Sequence, residues 1–168
     1  MKRQPIIGVI GGNNIDDSTR EKAVELGKAI ARYKAVLICG GLDGVMEAAC
    51  KGAKSEEGTT IGVLPGTEHR SANRFVDIPI VTSMFEERKR IIARTADVAI
   101  VIEDSEDTRK EAADAIRVGT PVVALGTMDH DGETDENLLI GAGSPEEAVK
   151  TALNIFKVID DIKPKDEE

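Results

Sequence analysis

The sequence predicts an α/β fold, a three-layer domain in which a doubly wound parallel sheet carries helices on both faces. Three observations predict it. Short aliphatic runs alternate with amphipathic stretches from one end of the chain to the other. The runs are apolar throughout, as in strands buried on both faces, instead of alternating apolar with polar residues. Glycine pairs close the first two runs, at Gly11-Gly12 and Gly40-Gly41, where a strand of such a sheet turns towards its helix.

The elements follow in order. Pro5 to Ile10 is a β-branched run stopped by Gly11-Gly12. After the polar loop Asn13 to Asp17, Ser18 or Thr19 opens a helix with Ala23, Leu26, Ile30 and Ala31 on one face. Ala35 to Cys39 is the second strand and Gly44 to about Lys54 the second helix. Thr59 to Leu64 and the short run Ile78 to Val81 are the third and fourth strands. Phe85 to Ala96 is a charged helix with Ile91, Ile92 and Thr95 turned inward, and Asp97 to Ile102 is the fifth strand. Asp107 to Val118 is a helix capped by Gly119, and Thr120 to Leu125 is the sixth strand. Leu138 to Ile140 is a last short strand, and Ser144 opens the final helix, Pro145 to Ile159. Residues 1–160 therefore form a single domain, and 161–168 are a polar, disordered tail.

Composition narrows the function. With 168 residues the chain suits one domain that needs no disulfide or metal staple. Aromatic residues are only 2% of it, so the core must be built from Ile, Val, Leu and Ala. The net charge of −9 repels nucleic acid and anionic lipid at long range, and no basic stripe with interleaved aromatics offsets it. Neither a nucleic-acid nor a membrane partner is expected. Ile6 to Ile10 is too short for a signal or membrane segment, which points to a cytoplasmic protein. Cys39 and Cys50 lack metal-site spacing and read as buried, reduced thiols on a strand end and a helix. No motif calls for a resident cofactor or metal. Without a visible pyridoxal phosphate lysine motif, amino-acid decarboxylation is disfavoured.

The chemistry belongs in the loops beyond the carboxyl ends of the strands. The strongest signal there is Cys39-Gly40-Gly41-Leu42-Asp43-Gly44-Val45-Met46, between a strand and a helix. Its glycines permit positive φ and close approach, and amides at a helix start favour an anion. The same residues also suit a tight turn with no ligand. The pattern is neither a P-loop nor the dinucleotide fingerprint. Gly8 to Gly12 is a second, weaker glycine turn that would line the same crevice.

Read together, these turns, the helix segment Glu25-Leu26-Gly27-Lys28-Ala29-Ile30-Ala31, Gly52-Ala53 and the run Thr60-Ile61-Gly62-Val63-Leu64-Pro65 carry a family resemblance. In order and spacing they resemble the Rossmann-like superfamily of the Lonely Guy phosphoribohydrolases, often labelled lysine decarboxylase-like, and the molybdenum cofactor carrier proteins. The resemblance covers roughly residues 5 to 157. For Lonely Guy enzymes it implies hydrolysis of the N-glycosidic bond of a nucleoside 5′-monophosphate, using an Arg-Lys pair and a Pro-Gly-Gly-x-Gly-Thr-x-x-Glu loop. Arg88-Lys89 stands at the basic pair, and Thr108 and Glu111 match the loop. The loop's proline and three glycines are replaced by Glu103, Asp104, Ser105 and Asp107. The resemblance thus implies Arg88 and Glu111 as a catalytic pair, and Lys89, Thr108 and Met46 as ligand contacts beside the amides of Gly11, Gly12, Gly40, Gly41 and Gly44.

The altered loop weighs against catalysis. At an effective dielectric of about 20, a carboxylate 4 Å from a phosphate charge costs on the order of 4 kcal/mol. Thr108-x-x-Glu111 also reads as a capping box, and Glu86 to Arg90 as a solvated face with a Glu86–Arg90 pair. His69, Arg70 and Arg74 form a polar loop within reach of an anion. Asp129-His130-Asp131-Gly132-Glu133 offers oxygen ligands without EF-hand spacing. The expected function is therefore binding of a small phosphorylated ligand, such as a nucleoside monophosphate or a phosphate-bearing cofactor, by a carrier or sensor. The alternative is a phosphoribohydrolase. A homo-oligomer is expected from the resemblance and from the helices around 84–96 and 107–118.

Overall fold

The computed structural model describes residues 3–103, 105–126 and 136–162. Seven parallel strands form one sheet in the order β4-β3-β2-β1-β5-β6-β7. They are β1 (Ile6–Ile10), β2 (Val36–Cys39), β3 (Thr60–Leu64), β4 (Ile78–Val81), β5 (Val98–Ile102), β6 (Val122–Leu125) and β7 (Leu139–Ala142). The helices are α1 (Asp17–Arg32), α2 (Val45–Ser55), α3 (Glu87–Thr95), α4 (Glu106–Arg117) and α5 (Pro145–Ile162). The three-layer, doubly wound single-domain architecture is the one expected. No helix among the described residues is long and apolar enough to cross a membrane.

The core is aliphatic. Helices α1, α2 and α5 cover one face, where Leu26, Ile30, Val45 and Val149 pack against Ile7, Leu37, Val98 and Ile100. The other face carries α3 and α4, with Ile92 against Ile38 and Val63, and Ile116 with Val101 and Val122. Each such side chain, fully buried, contributes roughly 1.5–3 kcal/mol. β1 lies in the centre, with Ile7 beside Leu37 of β2 and Val98 of β5. The chain leaves β1 towards one face and β5 towards the other. A crevice therefore opens above their carboxyl ends, the switch point where such sheets bind ligands.

Several boundaries differ from expectation for local reasons. Asp16, not Ser18 or Thr19, caps α1, accepting from the Thr19 N–H at 2.7 Å. α3 begins at Glu87, not Phe85, and turns Arg88, Ile92 and Ala93 inward. Ile91 and Thr95 are exposed instead, because the face that meets the sheet is set by positions 88 and 92, and hydropathy does not count an arginine as inward. Glu86 pairs with Lys89 at 3.4 Å where a pair with Arg90 was expected. The capping box of α4 is centred on Ser105, with Thr108 as its third helical residue, not on Thr108 and Glu111. α5 continues three residues beyond the expected Ile159, so 161 and 162 are helical and not part of a disordered tail; 163–168, the rest of the expected tail, lie outside the described residues.

α1 and α2 cross backbone to backbone. A Cβ added to Gly27 would run into the Ala49 carbonyl, and one added to Gly52 into the Val24 carbonyl. Gly27→Ala and Gly52→Ala are each expected to destabilise the fold by about 1–3 kcal/mol through overpacking, despite the better helix propensity of alanine. Urea unfolding midpoints measure this; midpoints equal to wild type would show that the crossing has room to spare.

Candidate functional site

Above β1, β2 and β5 lies a cavity of about 410 Å³, within the ordinary size of a small-ligand site. Its walls combine apolar Ile10, Leu42, Met46, Phe85 and Ile92 with polar Asn13, Arg88, Lys89, Asp107, Thr108 and Glu111. Gly11, Gly12 and Gly40 complete it. Of the ten expected site residues, eight thus meet at one hollow. Gly41 and Gly44 do not line it, and each has a packing role. Both have positive φ, at 71° and 67°. A Cβ on Gly41 would meet Gly62 Cα at 2.9 Å, and one on Gly44 would collide with the backbone of Gly12 and Asn13. His69, Arg70 and Arg74 stand away from the cavity, with Arg74 over the Phe75 ring at 5.2 Å. Residues 129–133 lie outside the described residues.

The expectation of bare glycine amides is corrected at Gly12 and Gly41, and the first amide of α2 is also taken. The Gly12 N–H donates to Glu103 Oε2 at 3.2 Å. The Gly41 N–H donates to Cys39 Sγ at 3.4 Å, and the Val45 N–H to the Gly12 carbonyl at 3.0 Å. Tertiary closure lets the glycine turns bind one another, which reduces the donors left for an anion. Cys39 and Cys50 are both free and buried, 3.7 Å apart. The Cys50 thiol is pushed up by its hydrogen bond to Cys39 and by burial, so it stays protonated.

Arg88 supplies the charge. The first turn of α3 points it inward, where it is 8% exposed. Its Nη1 donates to the Val63 carbonyl at 3.2 Å and the Gly40 carbonyl at 3.4 Å. Gly40 is required here, because a Cβ would strike the guanidinium and the Met46 sulfur. Nε is buried and has no hydrogen-bond partner. Burial pulls the Arg88 pKa below its ordinary value, opposed by the charge of Glu111. An arginine nonetheless remains protonated.

The expected pair Arg88 and Glu111 is not in contact. Glu111 is bound by Lys89 at 3.2 Å, and Lys89 also reaches Glu86. Burial alone would lower the Lys89 pKa, but Glu111 and Glu86 outweigh it and raise the value. Arg88 is thereby left as a buried cation with no carboxylate in contact among the described residues. Thr108 faces the cavity with its hydroxyl already engaged, accepting from the Ser105 N–H at 2.9 Å and donating to the Glu103 carbonyl at 2.8 Å. Glu103, whose carboxylate holds the Gly12 N–H of the cavity wall, was legible in sequence only as a departure from the family's loop.

Comparisons with known proteins agree with the fold. A molybdenum cofactor binding protein from Rippkaea orientalis superposes with a TM-score of 0.82 at 35% identity, covering 92% of this chain and 99% of that one. The molybdenum cofactor carrier protein of Chlamydomonas reinhardtii gives a TM-score of 0.81 at 36% identity, with the same coverage of 92% and 99%. An uncharacterized protein of Archaeoglobus fulgidus is 41% identical over 119 residues, 71% of this chain and 78% of its own. The superfamily resemblance carried by the glycine turns is confirmed. Residues 4–153 match the SLOG cluster4 family, and the chain belongs to that family.

Proposed function

We propose that this protein binds and carries a small phosphate-bearing ligand, a nucleotide or a cofactor such as the molybdenum cofactor that its relatives are described as binding. One observation carries the reading: the buried Arg88 guanidinium on the cavity wall, with no hydrogen-bond partner for Nε and no carboxylate in contact among the described residues. An uncompensated buried cation is costly, and a bound anion would offset that cost. A planar guanidinium is a fitting partner for a phosphate group. The apolar wall of Ile10, Leu42, Met46 and Phe85 suits the flat ring of a heterocycle.

A carrier is favoured over a phosphoribohydrolase by the side chains that would have to react. Glu111 is held by Lys89, and the Thr108 hydroxyl is spent on the start of α4. The loop before α4 holds carboxylates where a phosphate-binding glycine loop would be.

Mass spectrometry of small molecules released by denaturing the purified protein is expected to reveal a phosphate-bearing heterocycle. Arg88→Met should lose that molecule while still folding, since it replaces an uncompensated charge by an apolar chain of similar length. Retention of the molecule by Arg88→Met would overturn the reading. So would an empty wild-type protein that also fails to bind AMP and molybdenum cofactor in titration calorimetry.

The reading extends to a homo-oligomer. Ile78, Ile80, Met84, Phe85 and Ile91 are exposed, and Phe85 at 68% exposure stands on the cavity rim. α3 and α4 leave Ile78 and Ile80 of edge strand β4 uncovered, a patch that a second copy would bury. Light scattering is expected to give a mass of at least twice 18.0 kDa. A monomer at micromolar concentration would count against it.

A further inference from the structure

β5 ends at Ile102, and the next residue, Glu103, has φ +78°. That left-handed conformation strains any residue with a Cβ. It turns the side chain back across the switch point onto the end of β1. There Glu103 Oε2 accepts from the Gly12 N–H at 3.2 Å, and a Cβ on Gly12 would meet that oxygen at 2.6 Å. Gly12 lines the cavity. The carboxylate therefore occupies a main-chain donor that the first glycine turn would otherwise present to a ligand.

The start of α4 does not need this carboxylate. Ser105 and Thr108 cap the helix, and Thr108 Oγ1 donates to the backbone carbonyl of Glu103, which any residue would supply. A strained backbone and a charged side chain are thus spent on the crevice.

We propose that Glu103 determines ligand specificity by acting as a built-in anion that gives the cavity a polarity. A carboxylate only accepts hydrogen bonds and repels a phosphate. Asp107, in the first turn of α4, lines the same cavity with the same sign of charge. The anionic group of the ligand is turned away from the β1–β5 end and onto Arg88. The ligand class is therefore a molecule with a single phosphate group, held at Arg88 and away from Gly12. A polyphosphate spanning both ends is excluded by the repulsive element at one of them. This rests on the reading of Arg88 as the anion site.

Titration calorimetry with inorganic phosphate tests it, using wild type, Glu103→Gln, Glu103→Gly and Arg88→Met. Glu103→Gly frees the Gly12 N–H, removes the charge and relieves the backbone strain. It is expected to bind phosphate about tenfold tighter or more, with a melting temperature no lower than wild type. Glu103→Gln keeps an acceptor for Gly12 but loses the charge, and its affinity should fall between the two. A merely structural role for Glu103 predicts no gain in either variant. Phosphate affinity in both at or below the wild-type level overturns the proposal, as does no measurable binding to any of them. The Arg88 reading is scored separately: it falls if Arg88→Met binds phosphate as wild type does, whatever Glu103 shows.

Discussion

A buried positive charge with no carboxylate in contact among the described residues organises this site. Arg88 sits at 8% exposure, anchored by two main-chain carbonyls at the ends of β2 and β3, with no carboxylate within ion-pairing distance among the described residues. Burying a charge in this way is costly unless something of opposite sign completes it. The neighbouring groups preserve the arrangement. Gly40 has no Cβ to obstruct the guanidinium, and Lys89 occupies both Glu111 and Glu86. Neither carboxylate is left to collapse onto Arg88. The adjacent pair at 88 and 89 thus divides the work, one cation reserved and the other absorbing the local negative charge.

This division shows how a chain of net charge −9 can keep a local positive charge in its cavity. Exposed charges are screened over roughly 8–10 Å in physiological salt. The field inside a partly closed cavity is governed by the nearest buried group. A low-dielectric wall around Arg88 strengthens its interaction with a phosphate, while the acidic surface disfavours polyanions at long range.

The glycines serve this arrangement in different ways. Gly27 and Gly52 let α1 and α2 meet backbone to backbone, which fixes the position of α2. Gly41 and Gly44 shape the turn that precedes α2, and Gly44 admits the Gly12 carbonyl, which accepts the first amide of that helix. Gly11, Gly12 and Gly40 form cavity wall. All seven look alike in the sequence, yet only the last three stand where a ligand would be.

The sequence by itself determined the layers, the parallel sheet and the location of the crevice. Fully apolar runs alternating with amphipathic ones leave few other ways to bury both kinds of surface. It also brought out eight residues that share one cavity, because glycine turns and an Arg-Lys pair are local signals that survive without coordinates. Only the tertiary structure decided which groups are free. Whether Glu111 meets Arg88 or Lys89, and whether the Gly12 N–H is bare or held by Glu103, depends on pairs 22 to 91 residues apart in the chain. Hydrogen bonds and ion pairs of that kind are chosen by packing and by competition among neighbours, and no local pattern of residues records the outcome.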